Sequence, residues 1–139
     1  FDLSSCTASL FLRIVHNSSL ITYHLSLIIK MYYVEKRITI SAAHNLHLSY
    51  ESKCEALHGH NFVVTVYCKS ETLNEDGMVT DFTHIKRIVK ETFDHKYINE
   101  VLTVNPSSEN IARWICDHVE NCYKVSVQES EGNIATYER

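Results

Sequence analysis

The sequence predicts an α+β fold with element order β-β-α-α-β-β. Two β-rich runs open the patterned part of the chain, two segments with apolar residues at helical spacing follow, and two short β-rich runs close it. Strands collected at both ends, with helices between them, imply one sheet covered by helices.

The elements follow in order. Val34, Ile38, Ile40 and Ala42 alternate with Glu35, Arg37, Thr39 and Ser41, which marks a strand with one buried face. Lys36 is the one exception on the apolar parity, and His44 continues that parity. His58-Gly59-His60-Asn61 leads into Phe62-Val63-Val64-Thr65-Val66-Tyr67-Cys68, a second strand rich in β-branched and aromatic residues. Glu75-Asp76-Gly77 is turn chemistry. Asp81 is placed to cap a helix whose apolar residues are Phe82, Ile85, Ile88, Val89 and Phe93. A second helix follows Asn105-Pro106-Ser107, with Ile111, Trp114, Ile115, Val119 and Cys122 as its stripe. Residues 123–129 and 134–137 read as two strands joined through Ser130-Glu131-Gly132-Asn133.

A chain of 139 residues is one domain's worth. A formal net charge of -4 argues against a general nucleic-acid binder, which needs basic residues against phosphate. Five cysteines, an odd number with no CxxC pair, argue against a disulfide framework or a four-cysteine zinc ribbon. A reducing compartment, the cytoplasm, fits that usage. Residues 1–30 differ in character. Their apolar runs fall short of the ~18 residues of a membrane span, and Arg13 and His16 interrupt any signal-peptide core. Met31 opens the strand pattern. The working domain is therefore placed at 31–139, with 1–30 an extension outside it, disordered or not native to the protein. An apolar hairpin covering the domain edge is the rival reading.

His58 and His60 are two apart, so on a strand both imidazoles share one face. Gly59 between them lets another backbone approach closely. If the first two strands are antiparallel neighbours, His44 converges on the pair. Three protein ligands with a vacant fourth position is the arrangement of catalytic zinc. A lone His-x-His also fits two polar residues at a strand start. Cys54, four residues before His58, leaves three readings open: a fourth, structural zinc ligand, an inert buried thiol, or a reactive thiolate beside the metal. Asp94-His95 can be a carboxylate orienting an imidazole, or simply a polar helix end. Cys68, Cys116, Cys122, His47, His84, His118 and Trp114 take packing or solvent roles.

Taken in order, these motifs over residues 31–139 resemble the 6-pyruvoyltetrahydropterin synthase family, and within it the 6-carboxytetrahydropterin synthases. Ser41-Ala42-Ala43-His44 resembles its first zinc-ligand segment. Cys54 through His58-Gly59-His60-Asn61 resembles its catalytic cysteine and remaining ligands. Gly77 to Phe82 resembles the turn into its first helix, Asp94 to Asn99 its Asp-His pair, Asn105 to Asn110 the opening of its second helix, and Gln128-Glu129 its pterin-binding strand. The short spacing from Cys54 to His58, and Asp81-Phe82, look more like the carboxy-forming branch. Ser107 stands where the family often has Thr, and Phe93 where it often has Leu. Residues 1–30 have no counterpart.

The resemblance implies a tunnelling fold, with two helices on one face of a four-stranded antiparallel sheet. It implies assembly into a barrel, a homohexamer built as a dimer of trimers, with active sites between subunits. It implies a lyase acting on 7,8-dihydroneopterin triphosphate, with zinc on His44, His58 and His60, and with Cys54, Asp94 and His95 as catalytic residues. Glu129 would hold the pterin ring. Glu109 would assist it, or would serve only as a first-turn carboxylate favoured by the helix dipole. The implied product is 6-carboxy-5,6,7,8-tetrahydropterin, a queuosine precursor, with acetaldehyde and triphosphate released. The alternatives are a 6-pyruvoyltetrahydropterin synthase of the tetrahydrobiopterin pathway, and a non-catalytic zinc- or pterin-binding module. Neither a nucleic acid nor a membrane is an expected partner.

Overall fold

The computed structural model describes residues 30–139. The expectations for 1–30 fall, but for Lys30, outside the described residues. Strand β1 spans Tyr32–His44 and β2 spans His58–Ser70. They pair antiparallel along their whole length, from Tyr32 opposite Ser70 to His44 opposite His58. Helix α1 (Phe82–Phe93), a single turn α2 (Ile98–Val101) and helix α3 (Ser108–His118) follow. Strands β3 (Cys122–Ser130) and β4 (Asn133–Glu138) close the sheet in the order β1-β2-β3-β4, every pair antiparallel.

Alternation sets which face is buried. Ile38, Ile40, Phe62, Val64, Val66, Val125 and Val127 point to the helices, and Ile85, Val89, Ile111 and Ile115 meet them. Each fully buried side chain of this size contributes ~1.5–3 kcal/mol of transfer free energy. Helix α1 packs over β1, and α3 packs over β3 and β4. The Phe93 and Trp114 rings meet edge to face at 5.1 Å, joining α1 to α3. Helix α1 starts at its expected cap, with Asp81 accepting from the Thr83 N–H at 2.7 Å, and α3 starts after Ser107, which accepts from the Asn110 N–H at 3.4 Å.

Two details differ from the sequence reading. Cys122 is not on the second helix: the chain leaves helical geometry at Val119, turns at Asn121 with φ 57°, and Cys122 begins β3. The one-turn α2 is added between the two expected helices. Lys36, the exception on β1, is half-buried because its ammonium lies 5.7 Å from the centroid of the Phe82 ring. Among the described residues, no helix is long and apolar enough to cross a membrane.

Candidate metal centre and adjoining cleft

The sheet brings the three sequence-selected histidines together at one end of its helix-facing side. His44 is the last residue of β1 and lies opposite His58, the first of β2, while His60 lies opposite Ala42. Ring centroids are 4.6 Å apart for His44–His58, 5.3 Å for His44–His60 and 4.9 Å for His58–His60. Phe62 forms the floor, 5.4 Å from the His44 ring and 5.3 Å from the His60 ring. Gly59 holds this end of the ladder tight: a Cβ there would stand 3.2 Å from the Ala42 carbonyl oxygen.

Hydrogen bonds set the tautomers. The Nδ1–H of His44 donates to the Pro106 carbonyl at 2.8 Å, and that of His58 donates to the Ala56 carbonyl at 2.7 Å. Both rings therefore keep an Nε2 lone pair, the arrangement in which metal-ligating histidines are usually held. Burial pulls the His60 pKa below the ordinary imidazole value, Glu129 pushes back, and the nearby His44 and His58 add to the lowering. Nε2 of His44 and Nε2 of His60 are buried and have no hydrogen-bond partner.

A fourth group joins them. Glu129 continues the buried parity of Val125 and Val127 on β3, at the register shift between Gln128 and Ser130. Its Oε1 is 3.2 Å from Nε2 of His44 and 3.6 Å from Nε2 of His60. One donor atom from each of His44, His58, His60 and Glu129 lies within 4.8 Å of the others, a set that could hold a metal ion. The family resemblance assigns Glu129 to the ring of a ligand, and its parity with Val125 and Val127 also turns it toward the histidines. The Cys54 sulfur is not one of the four donors.

Glu129 also opens onto a cleft of about 410 Å³ shared with Leu46, Ser107, Ser108, Glu109 and the β3–β4 turn. Glu109 stands in the first turn of α3 and on the wall of this cleft. Cys54 is half-buried in a 3₁₀ turn, Lys53–Glu55, capped by Ser52. Asp94 and His95 follow α1 along the edge of β1. Asp94 accepts from the Ser41 N–H at 2.9 Å and from the Lys90 ammonium at 2.8 Å. These two bonds, Lys90's the larger effect, hold its carboxyl below the usual range. His95 has φ 56° and is 84% exposed, with Nε2 3.9 Å from Asp94 Oδ2. The pair is adjacent, but Asp94 is anchored by other partners.

Fold and site together define a helix-covered antiparallel sheet that offers three imidazoles and a carboxylate beside a polar cleft. The sequence profile of the family described as 6-pyruvoyl tetrahydropterin synthase matches residues 33–139. The chain is 37% identical over 121 residues to a 6-carboxy-5,6,7,8-tetrahydropterin synthase of Synechocystis, covering 77% of this chain and 93% of that one. It is 30% identical over 132 residues to the human 6-pyruvoyl tetrahydrobiopterin synthase, covering 75% and 89%. The solved structure of a Caenorhabditis elegans 6-pyruvoyl tetrahydropterin synthase superimposes with a TM-score of 0.65 at 29% identity, covering 80% of this chain and 97% of that one. The chain belongs to the 6-pyruvoyl tetrahydropterin synthase family and is an enzyme of the lyase-type tetrahydropterin synthases.

Proposed function

We propose that the protein converts 7,8-dihydroneopterin triphosphate and one water to 6-carboxy-5,6,7,8-tetrahydropterin, acetaldehyde and triphosphate, in the queuosine precursor pathway. The observation that carries the reading is the pair of buried, unpartnered Nε2 atoms on His44 and His60, beside a cleft that ends at Glu129. The similarity to the Synechocystis enzyme supports the carboxy product.

In this reading His44, His58 and His60 hold zinc through Nε2, a donor set that fits this ion. Bound there, zinc supplies Lewis acidity toward the hydroxyls of the substrate's three-carbon arm. Cys54 Sγ takes a carbon-bound proton from the arm, and His95 returns or removes protons, with Asp94 limiting the ring's orientation. Glu129 accepts two hydrogen bonds from the pterin's amino group and adjacent ring N–H, a paired contact that selects this heterocycle. Glu109, on the same cleft wall, assists that contact.

The proposed assembly is a homohexamer, a dimer of trimers. In the sheet order, β1 and β4 are edges, and among the described residues only the His44 end of β1 is covered, by residues 94–97 through the Ser41, Ala43 and Tyr97 backbone. Unpaired edges invite pairing with another chain. Tyr50 and Leu57, 66% and 68% exposed, flank the Cys54 turn and suit cover by a neighbouring subunit.

The human relative supports a second reading, in which triphosphate is eliminated and a pyruvoyl product forms without loss of acetaldehyde. One incubation of zinc-loaded protein with dihydroneopterin triphosphate separates the readings. Acetaldehyde in step with pterin consumption is the expected result. A pyruvoyl product selects the second reading, and unchanged substrate overturns both.

A further inference from the structure

Pairing of β1 with β2 ends at His44, yet the next three residues remain held on both edges. The Asn45 N–H donates to Asn99 Oδ1 at 3.0 Å, and Asn99 Nδ2 donates back to the Asn45 carbonyl at 2.8 Å. Asn105 treats His47 in the same way, at 2.9 Å and 3.0 Å. A side-chain amide carries one acceptor and one donor group much as a peptide does. Two amides that hold residues two apart therefore stand in for a neighbouring strand along an extended segment. On the opposite edge, the Leu46 N–H donates to the Cys54 carbonyl at 2.8 Å.

The same tripeptide thus joins His44 to Cys54. Asn105 also fixes the next link in its own chain. Its carbonyl accepts from Asn110 Nδ2 at 2.8 Å and from the Ser107 N–H at 2.8 Å. Between them, the Pro106 carbonyl accepts from His44 Nδ1. Neither amide lines the cleft, so each acts through backbone.

We infer that Asn105 and Asn99 are positioning residues: by bracketing residues 45–47 they set the direction of His44 Nε2 and the distance of the Cys54 turn from the histidine cluster. The inference rests on the metal-site reading above for its His44 half; the Cys54 half stands without it. Partners that orient a ligating histidine are worth ~10–100-fold in metal affinity.

The test uses Asn105→Asp and Asn99→Asp, which keep the shape and acceptor but lose the donor and set a carboxylate against a carbonyl. The control is Asn121→Ala, which removes the Asn121 Nδ2 bond to the Val79 carbonyl, 2.8 Å, at the far end of the sheet. For each, zinc affinity is measured by chelator competition, the visible spectrum is recorded with cobalt(II) in place of zinc, and the alkylation rate of Cys54 and the melting temperature are followed. The expected result for Asn105→Asp is ~10–100-fold weaker zinc binding, a changed cobalt spectrum and faster Cys54 alkylation. Asn121→Ala should lower the melting temperature and leave the other readouts in place. If Asn105→Asp does not fold, Asn99→Asp carries the comparison. A folded variant with wild-type zinc affinity, cobalt spectrum and Cys54 rate overturns the inference, as does an equal loss of affinity in Asn121→Ala. Failure of the wild-type protein to bind zinc sinks the metal reading alone, and the Cys54 rates then decide this one.

Discussion

Glu129 Oε1 stands 3.2 Å from Nε2 of His44, and the ring's proton is committed elsewhere, to the Pro106 carbonyl. Two acceptors therefore face each other where one of them is fully buried. Without a cation or a proton between them, this contact opposes folding. A divalent ion held by His44, His58 and His60 would turn that repulsion into attraction, its charge facing the Glu129 carboxylate. Zinc should thus raise the melting temperature of the wild-type protein, by an amount equivalent to ~4 kcal/mol at a free concentration a thousand times the dissociation constant. His44→Ala should lose most of that gain. Melting curves with zinc and with chelator check it, and a wild-type transition indifferent to zinc refutes it.

The same contact gives Glu129→Gln two effects of opposite sign. In the metal-free protein the new amide can donate to His44 Nε2, so stability should rise by ~1 kcal/mol, the usual net value of a hydrogen bond. With zinc and substrate, the variant loses a charged acceptor worth ~1.5–3 kcal/mol, or about 10–100-fold in kcat/KM. Chemical denaturation of metal-free protein and steady-state kinetics of the zinc form measure the two. Equal destabilisation in both states would show that Glu129 serves only packing.

Asp94 ties the end of α1 to β1 through Lys90 and Ser41, and these bonds hold its pKa below the ordinary value. A carboxylate whose pKa is lower in the folded state contributes stability at pH values above its unfolded pKa, near 3.9. That contribution is lost as pH falls through the lower folded value. Asp94→Asn should therefore cost ~1–3 kcal/mol at neutral pH, and the difference from wild type should narrow below about pH 4. Denaturant titrations across that range test it. A constant difference at every pH would mean the charge of Asp94 contributes nothing.

Much of this was legible before coordinates. The imidazole trio follows from strand parity at His44, His58 and His60, because a period of two leaves only one face for all three. The first helix start follows from Asp81, whose side chain does locally what capping requires, and the second from Asn105-Pro106-Ser107 ahead of an apolar stripe. Cys122 misled because it lies at helical spacing from Ile115 and Val119; Asn121, a residue tolerant of positive φ, was the counter-signal. Four residues of α2 carry no measurable period. The amides of Asn99 and Asn105 could not be assigned from sequence, because their partners lie 54 and 58 residues away along the chain. Only the folded sheet brings those segments together.

Thiol chemistry offers the last test, because the described cysteines divide into two kinds. Cys68, Cys116 and Cys122 are buried together between β2, α3 and β3, whereas Cys54 is half-exposed beside the metal cluster's strand. Burial pushes the Cys116 thiol up to about 12, with Cys122 adding to the rise, and hydrogen bonding with Cys68 pushes Cys122 upward as well. The same hydrogen bond holds Cys68 lower, but Cys68 is fully buried, and an inaccessible thiol is a poor nucleophile whatever its pKa. Native alkylation mapped by mass spectrometry should therefore mark Cys54 first among these four, with the other three labelled only after denaturation. Cys54→Ser should retain zinc, since His44, His58 and His60 are untouched and Cys54 is outside their cluster. Its turnover should fall ~10²–10⁴-fold, the usual share of a proton-transferring group. Labelling of Cys116 or Cys122 at the rate of Cys54 would contradict the packing, and full turnover in Cys54→Ser would remove the thiol from the reaction.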